Sequence, residues 1–167
     1  VTIDINGGSS AKDIAASITS RLSETGVSAT AHTRLNVSFE EEPNGTQKTD
    51  TVSFNVYGKN TAPVLISANV DFGETNGRGA DLTDLAAAIN GTTGKTGIAA
   101  SLSVDKSTMT MISNDGYDIV TEDYRLVGVT GPAMLVSGAN EDNTSLTGTN
   151  SANVLFDALT LEPGTDT

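Results

Sequence analysis

The chain has 167 residues, enough for one domain or two small ones, and nine Lys plus Arg against 21 Asp plus Glu give it a formal charge of −12. That charge repels polyphosphate and anionic lipid, which excludes nucleic acid and membrane surfaces as partners, and the lack of Trp with only 4% aromatic residues advertises no base-stacking platform. The absence of Cys excludes disulfides and thiolate metal sites, no apolar run approaches the roughly 20 residues that span a bilayer, and a start at Val1 without Met reads as an excised piece or a processed product.

Val1 to Ile5 alternates apolar and polar and predicts a short strand, with Asn6-Gly7-Gly8 turning into a helix. That helix starts at Ser10, whose side chain and Asp13 three residues on form a capping pattern. It runs to about Glu24 and stops at Gly26, with Ile14, Ile18 and Leu22 as its apolar face. From Val27 to Phe39 the odd positions Val27, Ala29, Ala31, Leu35, Val37 and Phe39 are apolar, which predicts a long half-buried strand. Glu40 to Asp50 is a polar reversal, and Val52, Phe54 and Val56 mark the return strand.

Gly58 to Pro63 is the best candidate boundary, and Val64 to Val70 reads as the next strand. A Gly-rich loop from Gly73 to Gly79 leads into a second helix. There Asp81 and Asp84 mark the start, Leu82, Leu85, Ala86 and Ile89 share one face, and Asn90-Gly91 marks the stop. Ile98, Ala100, Leu102 and Val104 alternate, Lys106-Ser107 turns the chain, and Met109 and Met111 continue in a partner strand. Asn114-Asp115-Gly116 makes a further turn before strands at Tyr117 to Thr121 and Tyr124 to Val129. Beyond Gly131, Ala133 to Ser137 and Val154 to Leu161 read as strands and Gly138 to Asn153 as a polar loop, with a strand near Ala158 returning beside the N-terminal one.

The two helical blocks are one block repeated at an offset of 71 residues, since Asp13, Ile14, Ala15 and Ala16 fall on Asp84, Leu85, Ala86 and Ala87. Ile18 meets Ile89, and Thr25, Gly26, Val27 and Ala29 meet Thr96, Gly97, Ile98 and Ala100 at the same shift. The expected fold class is therefore α+β, mostly antiparallel sheets with two short amphipathic helices in duplicated strand-helix-strand-strand units. Residues 1–58 hold the first unit and 59–130 the second, while 131–167 adds strands and loops that pack back on the first.

The stretch Ala80 to Val104, with helix, Ile-Asn, a Gly-containing turn and Gly-Ile-Ala-Ala-Ser-Leu, resembles the flagellin IN motif of the surface-exposed middle region of bacterial flagellins. Ala11 to Ala31 is a degenerate copy in which Thr19 replaces the Asn. The resemblance implies an extracellular, non-enzymatic outer domain (D2 or D2/D3) of the flagellar filament subunit, from a hypervariable region, with a role in motility. Related motifs in hook-associated and filament-cap proteins keep open an alternative, a domain of such a protein or of an adhesin that binds a host glycan or protein.

The partners it implies are other flagellin subunits, through helical core segments this sequence does not contain, together with neighbouring outer domains and host receptors or antibodies. The isolated segment is expected to be a monomer, because no sustained heptads are present.

No catalytic, cofactor or metal residues are assigned. His32, the only histidine, lies on the polar face of its strand without a converging nucleophile and carboxylate. Gly94-Lys95-Thr96 follows a helix, whereas a phosphate loop opens one, and the first Gly of that pattern would fall on Ile89. Asn114-Asp115-Gly116 with Asp118, the run Asn140 to Asn143, and Glu40-Glu41-Glu42 read as turns and solvated acidic loops. Asn36, Asn44, Asn90 and Asn143 begin N-x-[ST] triplets, and Thr144, Ser145, Thr147 and Thr149 are candidate O-glycan positions implied by the resemblance.

Overall fold

A computed structural model describes residues 1–40, 49–72, 79–126, 134–138, 143–146 and 154–156. Three helices and nine strands follow in the order α1 (Ala11–Thr19), α2 (Leu22–Thr25), β1 (Thr33–Phe39), β2 (Thr49–Tyr57), β3 (Val64–Asp71), α3 (Thr83–Thr96), β4 (Ile98–Leu102), β5 (Met109–Ser113), β6 (Ile119–Leu126), β7 (Met134–Gly138), β8 (Asn143–Leu146) and β9 (Val154–Phe156). The strands form two antiparallel sheets, one of five in the order β4-β5-β1-β7-β8 and one of four in the order β3-β2-β6-β9. The class is α+β, as expected.

Alternation in sequence becomes alternation in burial. Leu35, Val37 and Phe39 of β1, Met109 and Met111 of β5, and Met134 and Val136 of β7 face inward from the first sheet. Val52, Phe54 and Val56 of β2, Ile66 and Val70 of β3, and Ile119 and Tyr124 of β6 face inward from the second, and all of them join one core. Leu85, Ala86 and Ile89 of α3 complete that core, because the helix packs against β3 and β4, the end strands of the two sheets. Phe39 and Phe72 meet edge to face at 5.1 Å.

Several expectations are corrected. Val1 to Ile5 is not a strand: the segment pairs with no strand among the described residues, and Val1 and Ile5 are 78% and 55% exposed. The first helix breaks after Thr19, where Ser17 and Ser20 donate their hydroxyls to the carbonyls of Asp13 and Ile18's neighbour Ser17, and Leu22 to Thr25 resumes as a separate turn. Ala11 and Ala15 are its buried residues, while Ile14 and Ile18 are half-buried and Leu22 is exposed. The strand expected from Val27 begins only at Thr33.

The stretch after Phe39 does not close a hairpin, since β1 and β2 belong to different sheets; residues 41–48, including Pro43-Asn44-Gly45, lie outside the described residues. Gly58 to Pro63 connects β2 to β3, which pair directly with Val56 opposite Val64.

The second helix runs through Asn90-Gly91 to Thr96, and Gly97 at φ 73° ends it. The strands expected at Tyr117 to Thr121 and from Tyr124 are one strand, β6, carried past a register shift against β2 by Asp123 at φ 55°. Within the expected polar loop, Asn143 to Leu146 pairs with β7 as β8. β7 lies beside β1, and β9 lies beside β6. The expected loop at 73–78, residues 127–129 and Ala158 lie outside the described residues.

Truncating the helix face that closes the core should be far costlier than truncating an exposed apolar residue. Urea unfolding of Leu85→Ala is expected to show a loss of about 2–5 kcal/mol, against under about 0.5 kcal/mol for Leu22→Ala.

A duplicated helix-strand clasp as the candidate functional site

β4 is the last strand of its sheet, so one row of its backbone groups has no strand to pair with. Ser103 N–H donates to the Thr108 carbonyl at 2.8 Å, and the alternation of an antiparallel ladder then turns the N–H and C=O of Ala100 and Ile98 outward. Side chains of α3 satisfy all four groups. Asn90 Nδ2 donates to the Ala100 carbonyl at 2.9 Å, and Ala100 N–H donates to Asn90 Oδ1 at 2.8 Å. Thr93 donates its hydroxyl to the Ile98 carbonyl at 2.8 Å, and Ile98 N–H donates to Thr96 Oγ1 at 3.2 Å. The Asn side-chain amide carries the same donor and acceptor as a peptide, so it stands in for the missing strand.

The first copy repeats this arrangement at the offset of 71 residues. Thr19 Oγ1 donates to the Ala29 carbonyl at 3.1 Å and accepts from Ala29 N–H at 3.0 Å, one hydroxyl serving where Asn90 uses an amide. Thr25 donates to the Arg21 carbonyl and accepts from Val27 N–H, as Thr96 does with Thr92 and Ile98. Gly26 and Gly97 both stand at left-handed φ, 70° and 73°, and both N–H groups donate four residues back at 2.8 Å, to Leu22 and Thr93. Leu22 replaces Thr93, so the first copy lacks the one bond that Thr93 makes to the strand.

The helix starts differ slightly. Ser10 Oγ accepts from Asp13 N–H at 3.2 Å and donates to the Asp13 carboxylate at 2.8 Å, the expected capping pair. Asp81 instead accepts from Thr83 N–H at 2.9 Å and from the Thr83 hydroxyl, one residue earlier than the expected bond to Asp84. These Thr83 bonds, with Lys106 Nζ at 3.4 Å, hold the Asp81 carboxyl below the usual aspartate range. Asp71, Asp81, Asp84, Thr83 and Lys106 line a cleft of about 320 Å3. The Asp81 carboxylate on its wall is committed to anchoring a helix.

The other residues singled out from sequence are not brought together. His32 is half-buried just ahead of β1, Ser28 and Glu40 are exposed, and Glu41, Glu42 and Asn140 to Asp142 lie outside the described residues. Gly94-Lys95-Thr96 forms the last turn of α3, a helix end whose partial charge is negative and so repels phosphate. Asn114 to Gly116 is a tight turn in which Gly116, at φ 69°, abuts Ala31; a Cβ there would lie 2.5 Å from the Ala31 Cβ. No group of three or more His, Cys, Asp or Glu able to hold a metal occurs among the described residues.

Asn36 Oδ1 accepts from the Thr110 hydroxyl, and the Asn90 amide is occupied by Ala100. Asn143, Thr144 and Ser145 lie in β8, while Asn44, Thr147 and Thr149 lie outside the described residues. The clasp itself was missed from sequence. Its available signal was the spacing of ten residues from Thr19 to Ala29 and from Asn90 to Ala100.

What the two copies define is an architectural element, a short helix clasped through backbone groups to the segment that follows it, which is a strand in the second copy and precedes β1 in the first. A family model described as the flagellin hook IN motif matches residues 1–38. The chain thus carries a motif of flagellins over 38 of its 167 residues. The match falls on the copy with Thr19, the one that reads as degenerate. Comparison with curated proteins gave no match.

Two measurements check the clasp and its cap. Asn90→Ala should cost about 1–2 kcal/mol and speed hydrogen exchange at the Ala100 amide, while Asn90→Thr should keep most of that protection. A depressed folded pKa at Asp81 adds stability that is fully present above the unfolded value and is lost as pH falls through the folded one. The melting-temperature gap between the parent and Asp81→Asn should therefore hold steady from neutral pH to about pH 5 and shrink below about pH 4.

Proposed function

We propose that this chain is an extracellular outer domain of the filament subunit, exposed on the filament surface, where it contributes contacts between neighbouring subunits or with the surroundings. The observation that carries the reading is the clasp itself, built twice in one chain on a β-rich body with a formal charge of −12. Its bonds satisfy backbone groups instead of converging on a ligand, which is the chemistry of a scaffold. The segments 1–58 and 59–130, each with one copy, are the repeat units of this proposal, and 131–167 adds the strands that extend both sheets.

The second reading, a hook-associated, cap or adhesin domain that binds a host glycan or protein, draws on the word hook in the description of the matched motif. Immunogold microscopy with antibodies raised against the chain separates the two. Labelling along the whole length of intact filaments is expected; gold confined to the hook junction or the tip would establish the second reading, and unlabelled flagella would overturn both.

A further inference from the structure

The two motif copies differ in how they are tied to the rest of the protein. In the second copy Leu85, Ile89, Thr96 and Ile98 are at most 1% exposed, and the backbone is bonded to the body at both ends of α3. At the start, Asp81 N–H donates to the Asp71 carbonyl at 2.8 Å and Leu82 N–H to the Lys106 carbonyl at 3.1 Å. At the end, the Thr96 carbonyl accepts from Lys59 N–H at 2.9 Å, and Gly58 passes so close that a Cβ would lie 2.3 Å from that oxygen.

Among the described residues, none before Leu35 joins the main core. Ala11, Ala15 and Ala31 form a cluster of their own with Ala29 against it, while Ile14 and Ile18 are half-buried and Val27 is 52% exposed. Each alanine brings one methyl group to that cluster, where Leu85 and Ile89 bring whole branched side chains to theirs, so the first copy has much less apolar area holding it.

Its remaining ties converge on one turn. Lys12 N–H donates to the Gly116 carbonyl at 3.0 Å, and Lys12 Nζ lies 3.6 Å from the centre of the Tyr117 ring, a cation resting on an aromatic face. The turn itself is fixed to β5, since Gly116 N–H donates to the Ser113 carbonyl and Tyr117 N–H to Ser113 Oγ, both at 3.2 Å. Within the copy the bonds close on themselves, from the Ser10 cap to the pairing of Thr19 with Ala29. Thr30 alone separates that clasped alanine from Ala31, which is pressed against Gly116.

We propose that residues 10–29 are a separately opening unit: α1, α2 and the clasped segment leave the turn at Gly116 and Tyr117 together, about Thr30, while both sheets stay folded. The stack of Lys12 on Tyr117 is its catch. A helix of nine residues does not hold in water alone, so leaving the turn and losing helix and clasp are one event. This follows from the contacts and is independent of where the domain sits in a flagellum.

Amide hydrogen exchange on the whole chain tests the unit by comparing equivalent residues of the two copies. Ile18 and Ala29 are expected to share one opening equilibrium and to exchange at least about a hundredfold faster than Ile89 and Ala100. Lys12→Gln should speed both first-copy amides together, about two- to fivefold, and leave Ile89 and Ala100 unchanged, while Lys12→Arg keeps the cation and the parent rates.

Exchange at Ile18 and Ala29 as slow as at Ile89 and Ala100 would overturn the proposal, because the first copy would then open only with the core. So would unrelated openings at Ile18 and Ala29, or first-copy rates that Lys12→Gln leaves unchanged.

Discussion

A strand at the end of a sheet has a row of backbone groups that must be bonded, covered or left to water, and this protein settles the matter for β4 with side chains from the preceding helix. That single requirement fixes much of the local sequence. The amide at Asn90 and the hydroxyls at Thr93 and Thr96 reach outward-turned groups two residues apart on the strand, so helix, turn and strand keep one register. Gly97 must stand at positive φ for the chain to reverse within that distance, a conformation that Gly adopts at little cost. Because the same helix also packs on β3, the clasp links the two sheets at one side of the core.

The two copies share these polar bonds except that of Thr93, while their apolar surroundings differ. Thr19 holds Ala29 as Asn90 holds Ala100, yet one copy lies inside a core of two sheets and the other rests on alanines beside the turn at Gly116. Polar bonds within the motif depend on its own residues. Burial depends on what the rest of the chain brings against it, and only the second copy has a hairpin directly before it among the described residues.

Much of this was legible in the residues. Period-two alternation marked β2, β3, β4 and β5, the heptad-like spacing of Leu82, Leu85, Ala86 and Ile89 marked the buried face of α3, and the 71-residue offset exposed the repeat. Alternation tells which face of a strand is buried and says nothing about which sheet it joins, which is why β1 and β2 read as a hairpin and are not one. Gly91 and Gly97 carry equal stop signals; the helix passes the first because Asn90 is engaged with Ala100 instead of capping its own end. Val1 to Ile5 has the pattern of a strand, but a strand exists only where a neighbour does. The clasp was hidden for a related reason: Thr and Asn are common on helix surfaces, and their role appears only once residue 100 is known to point its backbone outward.

The three methionines Met109, Met111 and Met134 are the chain's only sulfur atoms, and each is at most 1% exposed in the inward faces of β5 and β7. Peroxide converts an accessible thioether to a polar sulfoxide, which would disrupt such a core, and it converts accessible thiols further still. With no cysteine and every thioether enclosed, the folded chain presents oxidants with no reactive sulfur, and its resistance to them rests on the same packing that holds it together.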